Sequence, residues 1–418
     1  MESLVRLKGF EKLTGLNDAL ALLKSKVGVT VLGIEELPLK RALGRVLAED
    51  AKAGRDSPPF DRSVMDGYAV RSEDTLEASP FNPKRLKLTP SERVGRGEAR
   101  VIWTGNPLPE GADAVVRIEN TRKEGEIVEV LSPVTPGRDV SKRGEDVRRG
   151  EIAIKKGTRL TPQHLGLLAS LGIRRVKVAR KPVVAILSTG DEIVALEDEP
   201  GPSQVIDSNK VILSAMCLEL ETEPVDLGIA RDDPEEIEKL LSQGLEKADV
   251  VITSGGTSVG LRDLVSEVIS KFGEPGIIFH GVAIRPAMPT AFAIVKEKPV
   301  FALSGNPVAA MIGFEVFVRP TLLRLQGVER EPRPTVSAKL TRRVASTLGS
   351  CSYLRVLVFT RNGELYAEPV KVMGSGIIRT MTKANGYVVI PEDLGGFEEG
   401  ETVKVHLFGP VEVLEEDV

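Results

Sequence analysis

Apolar runs and amphipathic stretches alternate most regularly between residues 181 and 322. The runs at 182–187 (PVVAIL), 224–229, 248–253 (ADVVIT), 276–282, 291–295 and 300–303 read as strands buried on both faces. Between them the pattern predicts helices. One follows the cap Asp207-Ser208-Asn209 and runs to about Leu220; another opens at Asp233-Pro234 with acids in its first turn. A third covers about 263–272, and a last begins at Pro307 and ends at Val318. Strands of this kind separated by amphipathic helices predict a three-layer α/β domain with a largely parallel sheet.

The flanking regions follow other periods. Residues 14–28 carry a helical face of Leu16, Leu20, Leu22, Leu23 and Val27, and residues 29–50 read as a short strand followed by a helix-like segment over 37–46. Residues 51–64 contain Pro58-Pro59 and read as a loop. From there to about 140, short strands at 85–88, 114–118 and 127–131 lie between Asn-Pro and Glu-Gly-Ala-Asp turns, which predicts a small β-rich domain. A short helix over 162–171 stops at Gly172. Beyond 323 the pattern alternates with period two in YLRVLVF (353–359), LYAEPVKV (365–372), GYVVIP (386–391) and TVKVHLF (402–408), so a small β-barrel or sandwich is expected.

Composition narrows the function classes. A chain of 418 residues is expected to form two to four domains. The net charge of −4 and an aromatic content of 4% give no footing for nucleic acid or an acidic membrane as partner. Cys217 and Cys351 have no ligand spacing, and Cys217 falls in an apolar helical pattern as a buried thiol. Three histidines, His164, His280 and His406, are too scattered for a zinc site. The N-terminal residues lack a signal-peptide core and no apolar run approaches a membrane span, so a cytoplasmic, soluble protein is expected.

The candidate chemistry sits where strands end. ADVVIT runs into Ser254-Gly255-Gly256-Thr257-Ser258-Val259-Gly260, with Asp263 in the first turn of the next predicted helix. Glycines there free backbone N–H groups to face an anion at a helix N-terminus. The spacing matches neither a dinucleotide fingerprint nor a Walker loop, and a tight connection with ordinary caps accounts for it equally well. PVVAIL runs into Ser188-Thr189-Gly190-Asp191-Glu192, where a loop is needed to aim one of the adjacent acids inward. Ser304-Gly305-Asn306-Pro307 follows a third strand, with the proline at the first helical position. Asp66, beside Gly67-Tyr68, and Asp146 read by themselves as polar loop residues.

Taken together, FDRSVMDGYAVR (60–71), TGNPLPEGADAVVRIE (104–119), RGEDVRRGE (143–151), the block 183–320 and GSGIIRTMTKANGYVVIP (374–391) resemble the molybdopterin molybdenumtransferases, the MoeA family that includes the E domain of gephyrin. The resemblance covers nearly the whole chain. It implies four domains: residues 1–50 with 141–180 as an extended linker and dimerisation domain, 51–140 as a β-rich insertion, 181–322 as an α/β domain like that of molybdopterin adenylyltransferases, and 323–418 as a C-terminal β-barrel. It also implies a homodimer. The implied activity is the last step of molybdenum cofactor synthesis: metal from molybdate or tungstate enters adenylylated molybdopterin and AMP leaves, with Mg²⁺ required. Molybdo- or tungsto-enzymes would then receive the product.

The family's essential residues fall on Asp66, Thr104, Asp146, Glu192, Asp232 and Asp263. Glu192 and Asp263 are expected to hold Mg²⁺, and Asp66 and Asp232 to orient water or the pterin. The expected ligand-binding set is Ser188, Thr189, Gly190, Ser254, Gly255, Gly256, Ser258, Gly260, Arg285, Ser304, Gly305, Asn306, Pro307 and Ser375. Arg285-Pro286-Ala287-Met288-Pro289 stands where the family has Lys-Pro-Gly-Lys-Pro. A non-catalytic cofactor assembly factor and a molybdopterin adenylyltransferase remain as competing readings.

Overall fold

A computed structural model describes residues 13–256, 264–370 and 375–413. It divides the chain into two compact units, Glu35–Val178 and Met1–Ile34 with Ala179–Val418.

The larger unit is built on a six-stranded sheet. Its elements are β1 (Val183–Thr189), α1 (Ser208–Glu219), β2 (Glu223–Ala230), α2 (Pro234–Lys247), β3 (Val250–Ser254), α3 (Leu264–Lys271), β4 (Gly276–His280), β5 (Ala291–Val295), β6 (Lys298–Leu303) and α4 (Pro307–Gly313). The strand order is β2-β1-β3-β6-β5-β4. The first four strands are parallel, as expected; β5 alone runs the other way, antiparallel to both of its neighbours, β6 and β4. The cause of that difference is local. Only Lys296 and Glu297 join β5 to β6, both with positive φ (49° and 65°), and a two-residue turn of that hand can join only antiparallel neighbours.

Side chains alternate across β1. Ala185 and Leu187 face a cluster with Ile237 and Leu241 of α2 and Val265 and Ile269 of α3. Helices α1 and α4 pack together outside that cluster and form the third layer. After α4 the chain does not stop at Val318. A π turn, Phe314–Val318, leads into a further helix, Arg319–Leu325. Pro320 is the second residue of that helix, directly after the π turn, where the register of the helical hydrogen bonds shifts.

Beyond the α/β layers, Cys351–Arg361 pairs with both Glu364–Pro369 and Gly386–Ile390. Thr335–Leu340 and Thr402–Leu407 complete the circuit and close a five-stranded barrel. The inward positions of the period-two strands, among them Leu354, Val356, Val358, Val403 and Val405, fill it. The N-terminal helix Leu16–Lys26 belongs to this unit, held at its flanks by hydrogen bonds from Thr14 N to Gly281 O and from Thr30 N to Arg324 O.

The smaller unit holds a six-stranded sheet in the order Ala114–Arg117, Gly67–Val70, Glu98–Ile102, Lys84–Leu88, Ile127–Val130, Thr121–Glu124. Its core includes Tyr68, Val70, Leu86, Val116, Val128 and Val130. The helix expected over 37–46 is not formed. Instead the strand Ile34–Pro38 is followed by a single 3-10 turn, Leu39–Arg41, and Gly44 at φ 77° ends any helical path. Residues 51–64 are also more regular than expected, because Ala51–Lys52 and Arg62–Ser63 pair with Ile152–Ile154 and Val140–Ser141. No helix among the described residues is long and apolar enough to cross a membrane.

Candidate functional site

Parallel strands in an α/β sheet end on one edge, and the loops that leave them gather there. Strands β1, β3 and β6 are adjacent, and the loops after them line a single cleft of about 880 Å³. From the first loop it receives Ser188, Thr189, Gly190 and Glu192, and from the second Ser254, Gly255 and Gly256. The third contributes Ser304, Gly305, Asn306 and Pro307. Asp232, just beyond β2, also lines it. Three of the predicted segments, at 188–192, 254–256 and 304–307, thus meet in one place.

Close backbone approach explains the glycines. Gly255 has φ 99°, and a Cβ there would lie 2.3 Å from the Thr189 carbonyl oxygen. A Cβ on Gly256, at φ 64°, would lie 2.7 Å from Val265 and 2.8 Å from Thr189 Oγ1. The first two loops therefore pack so closely that only hydrogen fits between them. The hydroxyls of Ser188 and Thr189, both in the cleft wall, are buried and have no hydrogen-bond partner among the described residues. Leaving a buried hydroxyl unpaired is costly, so these groups are suited to a polar ligand that completes them.

The adjacent acids of the first loop divide their tasks. Asp191 accepts a hydrogen bond from the Asp232 backbone N at 3.1 Å, which ties the loops after β1 and β2 together. Glu192 folds over Gly190, where its Oε2 lies 2.8 Å from the position of a Cβ, and it lines the cleft. The Asp232 carboxyl is raised above the ordinary carboxylate range, first by desolvation and then by the charges of Asp191 and Glu192. A cleft with this surplus of negative charge fits a divalent cation that also meets a phosphate. Magnesium needs only one or two carboxylates and keeps waters or phosphate oxygens for the rest. A ready-made cage is not present: no group of three or more His, Cys, Asp or Glu side chains converges among the described residues.

Asp263, Ser258 and Gly260 fall outside the described residues. Arg285 is exposed and does not line the cleft; its Nη1 is 3.4 Å from Thr347 Oγ1, and the backbone of Ile284–Arg285 pairs with the start of the long barrel strand. Ser375 flanks the cleft: its carbonyl accepts from Val308 N at 3.0 Å, while the next residue, Gly376, is in the wall.

Asp66, Thr104 and Asp146 belong to the smaller unit. Asp66 Oδ1 accepts from both the backbone N and the Oγ1 of Thr104, each at 2.8 Å. Those two bonds, the backbone one first, hold the Asp66 carboxyl below its ordinary value. Gly67 fixes the carboxylate's place in the chain, because a Cβ there would sit 2.0 Å from the Val116 carbonyl oxygen. Asp146 is exposed in a separate, shallow depression shared with Arg62, Arg117 and Arg138, and its Oδ2 is 3.4 Å from Ser57 Oγ.

The sequence does not announce three polar participants in the cleft: Asp207, Ser208 and Asn209, expected only as a helix cap, all line it. Asp207 does cap α1, accepting from Lys210 N at 3.1 Å. Arg355 was also passed over. It is 3% exposed, and its Nε has no partner among the described residues.

The family model for the MoeA N-terminal region, domains I and II, matches residues 14–172. That for a probable molybdopterin binding domain matches 185–324, and that for the MoeA C-terminal region, domain IV, matches 337–408. A putative molybdopterin biosynthesis protein of Methanocaldococcus jannaschii is 38% identical over 90% of this chain and 92% of its own length. The chain belongs to the MoeA family. Another relative, a molybdopterin molybdenumtransferase of Bacillus subtilis, is 36% identical over 89% of each chain. The crystal structure of a molybdopterin biosynthesis MoeA protein from Pyrococcus horikoshii superposes with a TM-score of 0.81 at 34% identity, covering 95% of this chain and all of that one. The multidomain architecture of α/β layers and closed barrel described above is thus that of MoeA structures.

Proposed function

We propose that this MoeA-family protein inserts molybdenum or tungsten from its oxoanion into adenylylated molybdopterin and releases AMP. The observation that carries the reading is the cleft at the ends of β1, β3 and β6, where buried, unpartnered hydroxyls stand beside the exposed carboxylates of Glu192 and Asp232. Hydroxyls of Ser188, Thr189 and Ser254, with loop backbone N–H groups, are suited to donate to phosphate oxygens. The loop Ser304 to Pro307 closes the opposite wall and orients the ligand's rings. Glu192, with Asp263, would hold Mg²⁺, whose contribution is to offset charge on the phosphate as the P–O bond breaks. Asp232, kept partly desolvated beside two other acids, orients the attacking water or the pterin. Asp66, Thr104 and Asp146 are assigned as further catalytic groups, and Arg285 and Ser375 as ligand-binding ones. The acting form is proposed to be a homodimer.

Incubation with adenylylated molybdopterin, Mg²⁺ and either oxoanion, followed by chromatography, tests this. Equal yields of AMP and metal-loaded pterin are expected. Substrate that stays bound and intact with both oxoanions would instead indicate an assembly factor. Adenylylated product from ATP and metal-free molybdopterin would indicate an adenylyltransferase.

A further inference from the structure

Asn209, the second residue of α1, is 7% exposed and sits in the wall of the cleft. Its Nδ2 donates to Ser254 Oγ at 2.8 Å and to the Gly305 carbonyl oxygen at 2.8 Å. A carbonyl can only accept, so the nitrogen of the amide must face Gly305, and this settles the orientation of the side chain. Both amide hydrogens are thereby used, one on the loop after β3 and one on the loop after β6. The two loops touch here through backbone alone: a Cβ on Gly305 would lie 3.5 Å from Gly255 Cα.

Two chemical consequences follow for the cleft. The Ser254 hydroxyl already accepts from Asn209, so its own hydrogen is left to donate, and a hydroxyl polarised in this way donates more strongly. The Gly305 carbonyl, otherwise repulsive to an anion, has a lone pair engaged. Asn209 Oδ1 is buried without a hydrogen-bond partner among the described residues, so the amide is held at a cost that its two donated bonds must offset.

We propose that Asn209 is a positioning residue, joining the β3 and β6 loops and turning the Ser254 hydroxyl into a donor toward an anionic oxygen of the bound nucleotide. This rests on the reading that the cleft takes an adenylylated pterin. AMP in the presence of Mg²⁺ is the probe, with affinity measured by calorimetry for wild type, Asn209→Ala, Ser254→Ala and the double variant, beside melting curves for each. Each single change is expected to weaken AMP about tenfold, the scale of one hydrogen bond to a charged group. The double variant should be no weaker than the poorer single, because Asn209 acts through Ser254. Asn209→Ser, too short to span both partners, should behave as the alanine variant and serves in its place if that one does not fold. A residue that merely packed the loops would lower the melting temperature and give losses that multiply in the double variant. That multiplication, or unchanged affinity in the Asn209 variants, overturns the proposal. If wild type binds no AMP, the reading of the cleft falls and the proposal with it; if wild type binds and the Asn209 variants match it, only the role of Asn209 falls.

Discussion

Ala287 occupies a left-handed backbone conformation, φ 87°, while 2% exposed. That conformation costs a non-glycine residue about 1–2 kcal/mol, against which glycine loses about 0.4–1 kcal/mol through a freer unfolded chain. Ala287→Gly is therefore expected to stabilise the protein slightly, by up to about 1 kcal/mol, read as a higher denaturant midpoint at constant slope; a lower midpoint contradicts it. The residue was legible as a departure from the family's glycine, but its strain shows only in the backbone. Thr104 gives a second test at this scale. Thr104→Val removes the hydroxyl bond to Asp66 and leaves the backbone bond. The Asp66 carboxyl should then titrate higher than in wild type, part-way back to its ordinary value, while stability changes little at this exposed site. Proton titration followed by NMR reads the shift, and an unmoved carboxyl would show that the hydroxyl does not tune it. Arg355 was illegible for a different reason: alternation in YLRVLVF places it on the face opposite Leu354, Val356 and Val358, which fill the barrel, and does not show that this outer face is covered as well.

At the scale of elements, the apolar runs announced the strands of the α/β layers to within a few residues because those strands are buried on both faces, as Val250, Val251 and Ile252 are. Turn chemistry was harder. Lys296-Glu297 is no standard hairpin signal, yet it reverses β5 and makes the sheet mixed. The helix expected over 37–46 failed because apolar spacing there serves packing of Leu39, Ala42 and Leu47 in an irregular segment. The loops of the cleft were legible as glycine-rich strand ends, but their mutual contact was not. Gly255→Ala tests that contact. With φ 99° and only 2.3 Å to the Thr189 carbonyl oxygen, the methyl group should destabilise the protein by about 1–3 kcal/mol and weaken AMP binding. An unchanged melting temperature would mean that the loops are not packed as described. In the smaller unit, Asp139 takes two hydrogen bonds from Arg117, from Nε and Nη2, each at 2.9 Å. The Arg117 guanidinium holds its carboxyl below the ordinary range. A lowered folded value contributes stability that is complete above the unfolded value of about 3.9 and is lost as pH falls through the folded one. Asp139→Asn should therefore be less stable at neutral pH and show a flatter decline below about pH 4 in pH-dependent melting. Parallel acid limbs for the two proteins would contradict this.

For the molecule as a whole, the family was readable from motifs spread over nearly the full length, whereas the assignment of chemistry depends on which of those motifs meet. Three of them line one cleft; the Asp66 and Asp146 segments lie in the other compact unit. Dimer formation, measured by sedimentation, is one expectation at this scale. The central claim is that Glu192 and its neighbours promote release of AMP from an adenylylated pterin. Single-turnover release of AMP, with Mg²⁺ and molybdate or tungstate, compares wild type with Glu192→Gln most directly. The account predicts release by wild type matched by metal-loaded cofactor, slowed about 100-fold or more in the variant, with melting temperatures nearly equal because Glu192 is exposed in the cleft. Equal rates in the two proteins would contradict it.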